Sequence, residues 1–184
     1  KVSDLTLVAR DRTRLEALQQ QLCDQSGLKA SITTDVSEAT RRSDLVVTAS
    51  SAAEPLINPG DLKKGAVVLD IARPRDVSKK VADEREDVLV IEGGVIKVPG
   101  DNVDFHFNFG FPPGLAFACM AETMILALEG TYESFSLGRE YSAERVRRIC
   151  ALADKHGFKV AGLRSFERPV TDEQIESIRR KAGR

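Results

Sequence analysis

The chain has 184 residues, 42% hydrophobic and 30% charged, with 27 Lys and Arg against 28 Asp and Glu and a formal net charge of -1. That balance leaves no positive surplus to hold a phosphate backbone, which argues against a nucleic-acid partner. No run reaches the roughly 18 apolar residues of a membrane span, so no integral membrane segment is expected. The three cysteines, Cys23, Cys119 and Cys150, are odd in number and lack metal-ligand spacing. Neither a disulfide framework nor a metal site is expected, and a reducing cytoplasm is the simplest setting.

Leu5 to Ala9 reads as a short buried strand. It is followed by a helix from about Asp11 to Gln25, with Leu15, Leu18 and Leu22 on one face and Gly27 at its end. Lys29 to Thr33 reads as a second strand and Val36 to Arg41 as a short helix. Leu45 to Ala49, Ala66 to Ile71 and Val88 to Ile91 are further apolar runs, separated by helical or loop segments. Such runs are what parallel strands covered on both faces require. Residues 1 to about 100 therefore read as most of a doubly wound, Rossmann-like α/β domain. Residues 101–184 read as a Phe-rich segment with a C-terminal helical extension, in the same domain or a small lobe.

From Asp104 to Phe111 four phenylalanines occupy alternate positions, and a strand there would turn all four rings to one face. That face is either ordinary core or the wall of an apolar substrate site. After Pro112-Pro113-Gly114 a helix carrying Leu115, Cys119, Ile125, Leu126 and Glu129 is expected to end at Gly130. Ser142 is a candidate N-cap for a helix reaching about His156. Cys150 is expected on its apolar face with Val146, Ile149, Leu152 and Ala153, and Cys23 is expected to pack near the end of the first helix. Thr171 to Lys181 reads as a charged terminal helix.

In a dinucleotide-binding fold, the end of the second strand faces the adenosine ribose, where an arginine suits the 2′-phosphate of NADP. Here Arg10 directly follows the first strand-like run and Arg14 lies in the same basic cluster, which reads either as a phosphate site or as a solvated face. A glycine-rich G-x-G-x-x-G turn is missing, and Gly93-Gly94 has neither its spacing nor its following helix. The usual strand order puts the first strand between the second and the fourth. The expectation is therefore a sheet lacking its first strand and glycine turn, the missing part belonging to a longer parent or to a partner copy. Cys119 is expected about one turn into a helix that begins after Pro-Pro-Gly, near its N-terminus, where partial positive charge and free amides stabilise an anionic sulfur or a developing oxyanion. It reads as a nucleophile or as a buried helix cysteine. His106 is a candidate base or orienter or a satisfied rim residue, and Glu122, one turn beyond Cys119, is a candidate orienter or a surface charge.

Leu5 to Arg10, Phe117-Ala118-Cys119-Met120-Ala121-Glu122-Thr123-Met124, Leu128-Glu129-Gly130, Phe135 to Arg139 and His156-Gly157-Phe158 occur in order along the chain. Together they resemble the C-terminal, NADPH-binding half of the long-chain acyl-acyl-carrier-protein reductases, from about residue 5 to 160. The resemblance implies an acyl thioester on Cys119, reduced to an aldehyde with NADPH, and an acyl-carrier-protein or coenzyme A thioester as substrate. It further implies that Arg10 reads the 2′-phosphate. Thr48, Ala49 and Ser50 would lie along the cofactor ribose and nicotinamide, Ile71 and Ala72 near the nicotinamide, and the Phe105 to Phe111 face against the acyl chain. The turn Ile71 to Val77 departs from that family and resembles the corresponding turn of glutamyl-tRNA reductases. The related shikimate and quinate dehydrogenases share the strand-then-Arg pattern, but the domain holding their catalytic Lys-Asp pair has no counterpart in this sequence. A dehydrogenase of that type or of the amino-acid type, without a cysteine nucleophile, and a non-catalytic nucleotide-binding module are the alternative expectations.

Overall fold

The computed structural model describes residues 4–107, 110–138, 142–166 and 168–183. It divides into two compact units, Lys1–Ile91 with Thr171–Arg184, and Glu92–Val170.

In the first unit β1 (Thr6–Val8) pairs in parallel with β2 (Ser31–Thr33), Leu7 opposite Ile32. The crossover between them is α1 (Arg12–Ser26). Its start is set by Asp11, whose carboxylate accepts the Arg14 N–H, and its end by Gly27, whose φ of 68° turns its own N–H onto the Cys23 carbonyl. Of the expected apolar face, Leu15 is buried, Leu22 half-buried and Leu18 exposed, and Cys23 near the helix end is half-buried. Gln19 Nε2 donates to the Ala30 carbonyl at 2.5 Å, fixing α1 against the approach to β2.

After α2 (Val36–Arg42), capped by Asp35, come β3 (Leu45–Thr48) and β4 (Val67–Asp70), paired in parallel with Thr48 opposite Asp70. Following α3 (Lys80–Glu84), β5 (Leu89–Glu92) completes a sheet in the order β3-β4-β5. Among the described residues it is separate from the β1-β2 pair. Arg85 fastens this region. Its guanidinium donates to both Asp87 carboxylate oxygens at 2.7 and 2.9 Å and to the carbonyls of Pro59 and Leu62 at 2.5 and 2.8 Å. The terminal helix α6 (Asp172–Ala182) starts at a Thr171/Gln174 capping box and pairs Lys181 with Glu86 of the same unit.

Coverage of these strands differs from the reading of runs buried on both faces. Alternate residues face opposite sides of a strand, and only one set is buried. Val68 and Asp70 are buried and Val67 and Leu69 half-buried, while on β3 Leu45 and Val47 are 60% and 61% exposed.

In the second unit β6 (Val95–Lys97) lies between β7 (Leu115–Phe117) and β8 (Lys159–Val160), antiparallel to both. The helices are α4 (Ala118–Leu128) and α5 (Ala143–Lys155), the latter capped by Ser142 as expected. A short antiparallel pair, β9 (Arg164–Ser165) with β10 (Arg168–Pro169), follows. Val98, Ala116, Ala121, Ile125 and Phe158 form the core, with Ile149, Leu152 and Ala153 of α5 packed on it. No helix among the described residues is long and apolar enough to cross a membrane.

Three expectations are corrected here. The Asp104 to Phe111 segment is not a strand among the described residues, Asn108 and Phe109 lying outside them. Asp104 Oδ1 accepts the His106 N–H at 2.8 Å, and His106 takes a φ of 51°, so a side-chain-closed turn overrides the alternation. The rings diverge: Phe105 packs on the core and Phe107 is 69% exposed. Second, Leu115 does not belong to the helix of Cys119. Leu115–Phe117 pairs with β6, Ala116 opposite Ile96, and α4 begins only at Ala118. Third, Cys150 is exposed, because the face of α5 on the core is Ile149, Leu152 and Ala153 and the next residue along from Ile149 points away.

Candidate functional site

The residues expected to meet a nucleotide all lie in the first unit, at the carboxyl ends of parallel strands. This is the edge at which open α/β sheets bind ligands. Arg10 follows β1, exposed and with no hydrogen bond or ion pair among the described residues. Arg14, by contrast, pairs with Asp11 through Nε at 3.2 Å, so of the two arginines it is Arg10 that is available to an anion.

Thr48 ends β3, Ala49 and Ser50 follow it, and the polar groups of Thr48 and Ser50 converge on Asp76. The Thr48 hydroxyl donates to Asp76 Oδ2, the Ser50 N–H to the same oxygen at 2.9 Å, and the Ser50 hydroxyl to Oδ1 at 2.5 Å. Ala49, between them, is exposed. Asp76 itself is fully buried, and its carbonyl accepts the N–H groups of Leu56 and Ile57. Ile71 is exposed at the end of β4, whereas Ala72 is buried, its N–H donating to Asp70 Oδ1 at 3.0 Å and its carbonyl accepting Arg73 Nη1 at 2.7 Å. Asp70 also accepts the Val77 N–H at 3.0 Å. Burial pushes the Asp70 carboxyl above the ordinary carboxylate range, and the neighbouring Asp76 acts in the same direction, against the two N–H bonds. Neither aspartate was singled out from the sequence. The available signal was an Asp at the end of an apolar strand, and a second in the Arg75-Asp76-Val77 turn.

The candidate chemistry lies in the second unit. Cys119 is the second residue of α4 and exposed, closer to the helix end than the reading of one full turn. Phe117, the N-cap, offers no capping side chain, so the first-turn amides next to the sulfur have no side-chain acceptor. The Ala118 N–H is held by the Gly94 carbonyl at 2.8 Å. The same unit has an open groove of about 350 Å³ lined by Asp104, Phe105, His106, Phe107, Phe111 and Leu115, among others. Phe111 of the groove meets Phe117, the residue before α4, edge to face with ring centres 4.9 Å apart.

His106 stands on the groove, highly exposed, with Nδ1 3.5 Å from Asp104 Oδ2. Glu122 is half-buried and accepts the Ser136 hydroxyl at 2.5 Å, so it anchors the segment after α4 and makes no bond to His106 among the described residues. Arg139, at the end of the Phe135 motif, lies outside the described residues. The Leu128-Glu129-Gly130 and His156-Gly157-Phe158 motifs meet each other. The Glu129 carboxylate accepts Lys155 Nζ at 2.6 Å and lies 2.5 Å from His156 Nε2, and Phe158 fills the core. Hydrogen bonds from Lys155 and then His156 hold Glu129 below the usual carboxylate range.

Residues 1–92 match the family model of the shikimate / quinate 5-dehydrogenases. An aminotransferase, PigE, from Serratia sp. is 33% identical over 171 residues, 90% of this chain and 19% of that protein. A long-chain acyl-[acyl-carrier-protein] reductase from Synechococcus elongatus is 31% identical over 168 residues, 88% of this chain and 47% of that protein. The chain thus spans less than half the length of either relative. The strand, arginine and crossover at the start of the chain and the ordered motifs beyond them agree with these matches: the chain belongs to the shikimate / quinate 5-dehydrogenase family and is homologous over most of its length to the long-chain acyl-[acyl-carrier-protein] reductase.

Proposed function

We propose that the protein is an NADPH-dependent reductase that takes an acyl thioester, carried by acyl-carrier protein or coenzyme A, to an aldehyde through an acyl group on Cys119. The observation that carries this reading is an exposed cysteine in the first turn of α4, a helix whose N-cap Phe117 packs on Phe111 of the Phe-lined groove. The Cys119 thiolate adds to the thioester carbonyl, and the developing oxyanion faces the first-turn amides of α4. The bond from the acyl carbon to the carrier sulfur then breaks. The carrier leaves as a thiol once it has taken up a proton, and the acyl group stays on Cys119. His106, on the groove, is the group proposed to pass that proton, and Glu122 positions the segment behind α4 through Ser136. When bound, NADPH would supply the hydride that releases the acyl group as aldehyde and returns the Cys119 thiolate.

Arg10, free of protein partners among the described residues, suits the 2′-phosphate, and the β3 and β4 ends suit the nicotinamide half. In this reading the sheet is doubly wound, and a strand bearing the glycine turn pairs between β1 and β3, whose described partners are β2 and β4.

Incubating the full-length protein with a long-chain acyl-coenzyme A in the absence of NADPH should add one acyl mass to the peptide holding Cys119, and none in Cys119→Ala. A Cys119→Ala variant that reduces the thioester at the wild-type rate would overturn the mechanism. The family match over residues 1–92 favours a second reading, a dehydrogenase of the shikimate or quinate type with no cysteine intermediate. It predicts that no acyl group is trapped on Cys119 while NADPH still binds.

A further inference from the structure

We infer that Asp76 is the positioning residue for the nicotinamide end of the cofactor. It acts through Thr48 and Ser50 rather than by touching the cofactor, and the inference rests on the cofactor reading above. Asp76 is fully buried, 26 and 28 residues along the chain from its partners, yet three donors from the end of β3 converge on its carboxylate. Thr48 and Ser50 thereby commit their hydroxyls to the protein. What they leave toward the strand ends is the exposed Ala49 between them, held at both sides. The Ser50 hydroxyl also accepts the Ala52 N–H at 3.1 Å, which continues the restraint along the loop.

The loop that carries Asp76 is itself held in place. Asp70, at the end of β4 opposite Thr48, receives the N–H groups on either side of the Arg73–Arg75 turn, Ala72 and Val77. The loops after β3 and β4 are therefore joined through Asp76, an acceptor carried by the β4 loop that takes its donors from the end of β3. A carboxylate suits this position because it only accepts. An amide of the same shape would bring two N–H donors against donors already present, and the loop would lose its setting without losing volume.

The test is the Asp76→Asn variant of the full-length protein, with binding of NADPH and of adenosine 2′,5′-bisphosphate measured by calorimetry. The bisphosphate carries the 2′-phosphate but no nicotinamide. Positioning of the nicotinamide end predicts NADPH affinity reduced about tenfold with bisphosphate affinity unchanged. Thr48→Val should cost NADPH affinity in the wild type and little further in Asp76→Asn, and Thr48→Ser, which keeps the hydroxyl, should restore it. Equal loss of both ligands, or loss of neither, in a variant that melts cooperatively would overturn the inference, as would additive effects of Thr48→Val and Asp76→Asn. A wild-type protein that binds neither ligand overturns the cofactor reading itself, which separates the two failures.

Discussion

Cys23, Cys119 and Cys150 are the same side chain in three settings, and only one setting suits nucleophilic chemistry. Cys23 is half-buried late in α1, and Cys150 is exposed in the body of α5, where helix amides are already bonded. Cys119 is exposed within the first turn of α4. Iodoacetamide should therefore modify Cys119 about three- to tenfold faster than Cys150, read by peptide mass against time. Equal rates at the two exposed thiols would remove the contribution of the helix end. The position of Cys119 near a helix start was legible because the motif and the preceding Pro-Pro-Gly are local. The placement of Leu115 in that helix failed because β7 exists only by pairing with β6, 18 or more residues earlier in the chain.

Elements were most legible where their boundaries are set by bonds spanning three residues. Asp11, Ser142 and Thr171 each accept an N–H three residues on, and each helix starts where the sequence suggested. Contacts between elements were not legible, and they hold the fastenings. Arg85 is one: Arg85→Met strips the Pro59 and Leu62 carbonyls and the half-buried Asp87 of their donor at once. It should destabilise the first unit by about 2–3 kcal/mol in a urea titration. Glu129 is the other, joining the end of α4 to the end of α5 through Lys155 and His156. Its folded-state pKa lies below the ordinary value of 4.5, so its contribution is complete above pH 4.5 and is lost as pH falls through the folded value. The difference in melting temperature between wild type and Glu129→Gln should hold near pH 6 and shrink as the pH is lowered below 4.5. A difference that stays constant to pH 3 would show that the clasp adds nothing.

For the molecule as a whole, the residues proposed to serve cofactor and nucleophile fall in different compact units, Arg10 and Asp76 in one and Cys119 in the other. The two roles should therefore separate by mutation in the full-length protein. Arg10→Ala is expected to weaken NADPH binding about tenfold, with less effect on NADH, while the alkylation rate of Cys119 stays at the wild-type value. Cys119→Ala should bind NADPH as the wild type does. An alkylation rate at Cys119 that falls with Arg10→Ala would contradict this separation.

Local pattern alone accounts for the strand-like runs that become β1 to β5, the starts of α1, α5 and α6, the arginine at the end of β1 and the ordered motifs around Cys119. Each of these depends on residues a few positions apart, through backbone propensity, capping or alternation. The folded arrangement adds what that pattern lacks: Thr48 and Ser50 serve Asp76, Glu129 meets His156, β6 draws Leu115–Phe117 out of the helix, and the Phe-rich segment closes into a turn around Asp104. The first three join residues more than 17 positions apart in the chain, and the fourth sets a side-chain acceptor against an alternating pattern. In each case the burial and satisfaction of polar groups chose the partner, and a local pattern does not contain that choice.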